Sequence, residues 1–189
     1  MRIIAIIYFL SIINGQARIG EWRAHTSPLD ARQIIHHGKN VIAATGGGLL
    51  VLDEQNYFTL TTIEGLEGVN LKAIEYVSDD LILIGGHYPH GFIQIYDLAD
   101  RRSIEIFDYG LSEVLDFQIQ DSMFFSLFQD GKDFGLMKFI FDNKWNYSDS
   151  YKNFPSQIGQ INCFAVKNSK VFIGSDSGIW IGDLNKNLK

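Results

Sequence analysis

The chain has 189 residues, enough to bury a sizeable core in one domain, and its 46% apolar content excludes both a disordered chain and a multi-span membrane protein. The formal net charge of −6 speaks against a nucleic-acid partner, since phosphate binding needs clustered Lys and Arg. The one such cluster, Arg101-Arg102, reads as a solvated turn.

The first element is a leader. Arg2 supplies a positive start, and Ile3 to Ile13 is an apolar run too short to span a bilayer and right for a signal-peptide core. Gly15 and Ala17 form a small-x-small site, so residues 1–17 are predicted to be removed after Ala17. The other reading is a buried strand or an uncleaved anchor. No Cys stands near that point to carry a lipid. The mature chain, 18–189, is expected to contain no transmembrane span.

After a short strand pattern at 19–25, one phrase recurs four times. It reads VIAATGGGLLVLD (41–53), LILIGGHYPHGFIQIYD (81–97), MFFSLFQDGKDFGLMKFIFD (123–142) and VFIGSDSGIWIGD (171–183). Each is an apolar run, a glycine-bearing turn, a second run and an aspartate. Asp53, Asp97, Asp142 and Asp183 stand 44, 45 and 41 residues apart. Self-similarity at that period predicts propeller blades. A further run precedes each phrase, at 31–35, 72–77, 114–120 and 161–166, and another follows the first three, at 57–62, 103–108 and 144–149. The expected fold is therefore all-β, a β-propeller of four-stranded antiparallel blades over about 31–62, 72–108, 114–149 and 161–184. The second run of each unit is nearly continuous apolar, as in LILI and MFFSLF, whereas the fourth alternates, as in SIEIF. Unbroken apolar sequence suits strands covered on both faces, and alternation suits the outer strand that meets water.

The last blade lacks a fourth run of its own. Ile19 to His25 could serve as that strand and close a small four-bladed ring, or could begin a propeller with more blades. We expect the second: an N-terminal portion, or a shortened relative, of a longer propeller. An open arc would expose apolar blade faces and associate.

Candidate chemistry is sparse. Gly46-Gly47-Gly48 could cradle a phosphate, but a strand follows where a helix start is needed, so it reads as a hairpin turn. The four aspartates read as turn-fixing residues rather than metal ligands. Cys163, the single cysteine, is a candidate reactive thiol, and we read it as a small buried residue. His36-His37 and the His87-x-x-His90 pair are read as exposed turn residues, although the second could begin a zinc site. Asp130 to Asp133 faintly resembles a calcium loop without its spaced ligands. Asp79-Asp80, Glu54 and Glu113 are the carboxylates available for glycoside chemistry, and all are explicable as turn residues. Asn146-Tyr147-Ser148 fits a glycosylation acceptor formally. Trp145 and its neighbouring tyrosines could form a binding surface, but edge packing is preferred. No catalytic, cofactor or metal residue is assigned, and the binding residues remain open.

The residues from Glu21 to Gly86 resemble the N-terminal β-propeller of PorZ-like proteins of the Por (type IX) secretion system of Bacteroidetes. The points of likeness are Trp22 with His25, Ala31 to Ile34, the AATGGGL turn, and the Gly65-Leu66 step that returns as Gly110-Leu111. Related grammar occurs in the periplasmic propellers of two-component regulators. Blade three departs from the pattern, replacing the small residues that end the second run elsewhere with SLFQDGKD, so a longer turn and bulkier packing are expected there. The resemblance implies a non-enzymatic interaction or assembly module. Its partners would be other secretion-system or cell-surface proteins, or a surface glycan, in the periplasm or at the outer membrane and cell surface. The alternative it implies is a ligand-sensing propeller of a hybrid regulator.

Overall fold

The computed structural model describes residues 24–53, 56–152 and 154–185. The expected leader and residues 19–23 of the expected closing strand lie outside that range, while Ala24 and His25 are not in a strand. Fifteen strands follow. Blade one holds β1 (Ala31–His37), β2 (Asn40–Thr45), β3 (Gly48–Asp53) and β4 (Asn56–Leu60). Blade two holds β5 (Leu71–Tyr76), β6 (Leu81–Gly86), β7 (Gly91–Asp97) and β8 (Arg102–Leu111). Blade three holds β9 (Glu113–Gln120), β10 (Met123–Asp130), β11 (Asp133–Asp142) and β12 (Lys144–Tyr151). Blade four holds β13 (Ile161–Lys167), β14 (Lys170–Ser175) and β15 (Gly178–Asp183). Each blade is one antiparallel sheet paired in sequence order, and the fourth has three strands among the described residues.

The turns follow from local chemistry. In blade one Thr45 pairs with Gly48 around a two-residue loop, and Gly48 adopts φ +123°, open to glycine and strained for other residues. Gly47 must stay bare for another reason: a Cβ there would sit 2.3 Å from the Ser27 carbonyl oxygen.

Parity along each middle strand shows how the sheets stack. In β6, Ile82 and Ile84 join a core shared with blade one, while Leu83 joins the core shared with blade three. In β10, Phe124 and Phe128 face blade two, and Phe125 and Leu127 face blade four. The middle strands are thus sandwiched, which is why their sequences are unbroken runs. The first strands β1, β5, β9 and β13 lie side by side along the axis. The outer strand β8 alternates over Arg102–Phe107 as expected, but Ile104 and Ile106 fall on its exposed side, and Phe107 reaches across to Phe139 of blade three at 5.1 Å. Blades splay apart with distance from the axis, so an outer strand is covered only where a long neighbouring side chain bridges the gap.

Candidate functional site

One face of the molecule carries the turns between the second and third strands of the blades and the loops that enter each blade. One backbone hydrogen bond holds hairpin to entry loop in every blade. In three blades the hairpin donates: Gly46 N to the Asp30 carbonyl, His87 N to that of Asn70 and Asp176 N to that of Gln160; in blade three the direction reverses, and the entry-loop Ser112 N donates to the Gln129 carbonyl of β10. Against this frame blade three stands out, though not by the longer turn expected: Asp130 pairs with Asp133 around a two-residue loop, as Thr45 does with Gly48, and the extra length lies in the strands. Its β10 and β11 have 8 and 10 residues, where β2, β3, β6, β14 and β15 have 6 and β7 has 7. The longer hairpin forms a wall with a groove on either side. The outer groove, about 490 Å³, is lined by Phe128, Asp130, Asp133, Phe134, Lys152 and Phe154. The inner one, about 420 Å³, is lined by Lys72, Glu113, Gln129, Phe134 and Gln160 among others. Phe134 serves both.

Charge is paired along this face. Lys72 Nζ lies 2.9 Å from Glu113 Oε1, and His87 Nδ1 lies 3.7 Å from the same oxygen. Lys152 Nζ stands 4.0 Å from Asp130 and over the Phe128 ring. Arg32 ties blade one to the next blade through Asp30, the Asn70 side chain and the Leu71 carbonyl. Carboxylates, ammonium groups, amides and half-buried phenyl rings side by side suit the recognition of polar side chains or hydroxyl-rich ligands.

Along the axis a second polar set crosses the blade seams. Gln33 Oε1 accepts from Ile74 N at 2.8 Å, so blade one holds blade two. The Gln118 amide both accepts from Val166 N and donates to the Val166 carbonyl, so blade three holds blade four. Asp116 accepts from Phe117 N at 2.9 Å and from the amides of Phe164 and Gln33. Burial pushes its carboxyl up to about 6, with the Glu75 charge adding to the rise and the three hydrogen bonds opposing it.

The structure disperses most of the residues singled out from sequence. The Gly46 and Gly47 amides are committed, to the Asp30 carbonyl and the Thr45 hydroxyl, so the triple glycine offers no anion cradle there. Asp53, Asp97, Asp142 and Asp183 each end the third strand of a blade. Asp183 accepts from Asn185 N and Asp97 from Asp100 N, as turn fixing requires. His90 pairs with Asp108, His36 is exposed and His37 ends β1. Among the described residues no three His, Cys, Asp or Glu side chains converge as metal ligands. Asp130 and Asp133 flank the blade-three turn, Asp79 and Asp80 lie between β5 and β6, and Glu54 falls outside the described residues. Asn146 is exposed on β12.

Trp145 is buried against Phe124 and Phe141, while Tyr147 is partly exposed beside Tyr109. The expectation for Cys163 needs correcting: the thiol is exposed, not buried. It lies on the side of β13 away from blade three, which no further blade covers among the described residues. The inter-blade groups Gln33, Asp116 and Gln118 escaped sequence reading, because polar residues within inner-strand runs such as ARQII and VLDFQIQ do not show whether they meet solvent or a neighbouring blade.

Radially stacked antiparallel sheets around a shared line of first strands define a β-propeller, and the comparisons agree. No protein-family model matches the chain, and no curated protein matches it. Among solved structures, the β-propeller domain of Myceliophteria thermophila Cps50 (Swd1) superposes with a TM-score of 0.59 at 14% identity, covering 78% of this chain and 54% of that one. The computationally designed Ika8 protein gives 0.56 at 18% identity, covering 80% and 45%. The extracellular domain of a one-component system from B. thetaiotaomicron gives 0.59 at 16% identity, covering 84% and 22%. The chain thus spans about half, or less, of the length of these structures. No helix among the described residues is long and apolar enough to cross a membrane.

Proposed function

We propose that this chain is an exported, non-enzymatic propeller module that binds protein partners at the outer membrane, within the machinery of type IX secretion and cargo attachment. The observation that carries this reading is the extended blade-three hairpin with its two flanking grooves. A repeat scaffold needs no overlong hairpin to build its core, so one lined with paired charges and half-buried rings points to contact with something else. The sequence likeness to PorZ-like proteins supplies the setting. The test is genetic: deleting the gene should block surface attachment of type IX cargo, and the wild-type chain should restore it. A variant lacking Gln129, Asp130, Asp133 and Phe134, which keeps Gly131-Lys132 as the loop and shortens both strands by two residues, should fold and yet fail to restore. Full rescue by that variant would remove the hairpin from the function, and unchanged cargo attachment in the deletion strain would remove the secretion role.

A second reading, ligand sensing in a regulator, is favoured by the likeness to the extracellular domain of a one-component system. It predicts a transcriptional response that is lost on deletion, with cargo attachment intact.

A further inference from the structure

We infer that the outer mouth of the seam between blades two and three takes an arginine side chain from a protein partner. Two positions recur from seam to seam. Phe58 pairs with Val51 and Glu105 with Ile95, and Val51 and Ile95 each stand two residues before the aspartate that ends their strand. Phe58 and Glu105 are therefore the same position in the outer strands of blades one and two. Arg101 and Asn143 are equivalent in the same way. Each is the residue before a fourth strand, and each is left-handed, at φ +50° and +61°.

In the seam between blades one and two, Arg101 lies over the Phe58 ring, 4.6 Å from its centre. In the next seam Asn143 stands in place of that arginine, and Glu105 stands in place of the ring. The fold thus seats a guanidinium of its own at one mouth and supplies none at the other.

The surroundings of Glu105 suit a guanidinium from outside. The carboxylate is half-buried on the side of β8 that faces blade three, and it makes no hydrogen bond or ion pair among the described residues. The cations nearest in the chain are engaged or turned away. Arg102 pairs with Asp97 and Asp100, and Lys144 stands on the other side of β12 from Trp145 by strand alternation. Tyr109 lies on the same strand as Glu105, and its hydroxyl is pushed above the usual range by burial first, then by Tyr147 and by Glu105. The Tyr109 and Tyr147 rings are 5.6 Å apart and are 42% and 44% exposed. Phe141, further along the seam, is 48% exposed. Ring faces attract a cation, and a planar guanidinium can stack on tyrosine while it pairs with a carboxylate. An open edge fits a side chain carried by a large partner, whereas a free small molecule needs a concave site. None of these residues lines either hairpin groove, so this contact is separate from the one proposed there.

The experiment uses the full chain, with N-acetylarginine amide as probe and N-acetylcitrulline amide as its neutral counterpart. In an NMR titration the arginine probe should shift the ring protons of Tyr109 and Tyr147, and should bind about tenfold more tightly than the citrulline probe. Glu105→Gln should weaken arginine binding about fivefold or more. Tyr147→Ala should weaken it by a similar factor, while Tyr147→Phe, which keeps the ring, should stay within about twofold of wild type. Asn143→Arg supplies from within the chain the guanidinium that Arg101 supplies in the preceding seam, and should abolish probe binding. Circular dichroism checks that the variants fold. Should Tyr147→Ala misfold, Glu105→Gln and Asn143→Arg still decide. Failure of both rings to shift up to about 0.1 M probe, far above the dissociation constant such contacts give, overturns the proposal. So does equal binding of the two probes, or arginine binding left unchanged by Glu105→Gln and by Asn143→Arg.

Discussion

The seam between blades two and three and the seam between blades three and four solve one problem with different chemistry. Hydrogen-bond ladders end at the edge of each sheet, so neighbouring blades share none. The first seam is aromatic. Phe124 and Phe139 stack at 4.3 Å, and Trp145, Phe117 and Phe107 pack around them. The second is mostly aliphatic, with Leu127, Leu136, Ile161, Val171 and Ile173, and is pinned at the axis by Asp116 and Gln118. A stacked-ring seam depends on shape, so it should be brittle to truncation and indifferent to pH. A pinned seam should be the reverse.

The largest effect tests the aromatic side. Phe139→Ala removes a fully buried ring and should cost about 3–5 kcal/mol in urea unfolding. Its midpoint shift should be the same at pH 5 and pH 8. A cost no larger than that of the exposed Tyr57→Ala would mean the ring stack does not hold the seam. On the pinned side, Gln118→Ala strands the Val166 N–H and carbonyl, and about 1–3 kcal/mol should be lost. Amide exchange should quicken at Val166 while the amides of β6 keep their protection. Uniform quickening would show that the two seams open together.

Asp116 sharpens the comparison through pH. Its carboxyl rises from the ordinary 3.8 to about 6 on folding, so the folded chain holds the proton more tightly than the unfolded one. Stability from this group is therefore full below about pH 4, falls as pH climbs toward 6, and is flat above. Asp116→Asn retains the acceptor and removes the buried charge. It should raise the melting midpoint at pH 7.5 by the equivalent of on the order of 1–2 kcal/mol, after allowance for solvent screening, and give no gain at pH 3.5. A variant less stable than wild type at both pH values would mean that the charge strengthens the pin.

These contrasts bear on what could be read in advance. The blade plan was legible because apolar runs and strand-ending aspartates recur along the chain, and burial on both faces leaves a run in sequence as plain as LILI. The blade-three irregularity was legible only in part: SLFQDGKD breaks the small-residue rule, but the expected longer turn is a two-residue loop, because β10 and β11 stay paired as far as Asp130 and Asp133. The pins were not legible, because a Gln in an alternating strand looks the same whether it meets water or the backbone of a neighbouring blade. The exposure of Cys163 escaped for a related reason: INCFAV records an apolar strand, and whether another blade covers it is a matter of what lies beside it in space.

The smallest prediction probes whether the aromatic seam is as dry as its rings suggest. Ser126 sits between Phe124 and Phe128 on the blade-two side of β10, paired with Phe117 and Met137. It is fully buried, and its hydroxyl makes no hydrogen bond to the described residues. A buried hydroxyl without a partner costs its desolvation and returns nothing, so Ser126→Ala should be neutral or stabilising, within about 0.5 kcal/mol. The void left by one oxygen is too small to reverse that sign against rings that meet edge and face. If the substitution instead costs more than about 1 kcal/mol, the hydroxyl is satisfied, and this seam is pinned by a polar contact much as its neighbour is.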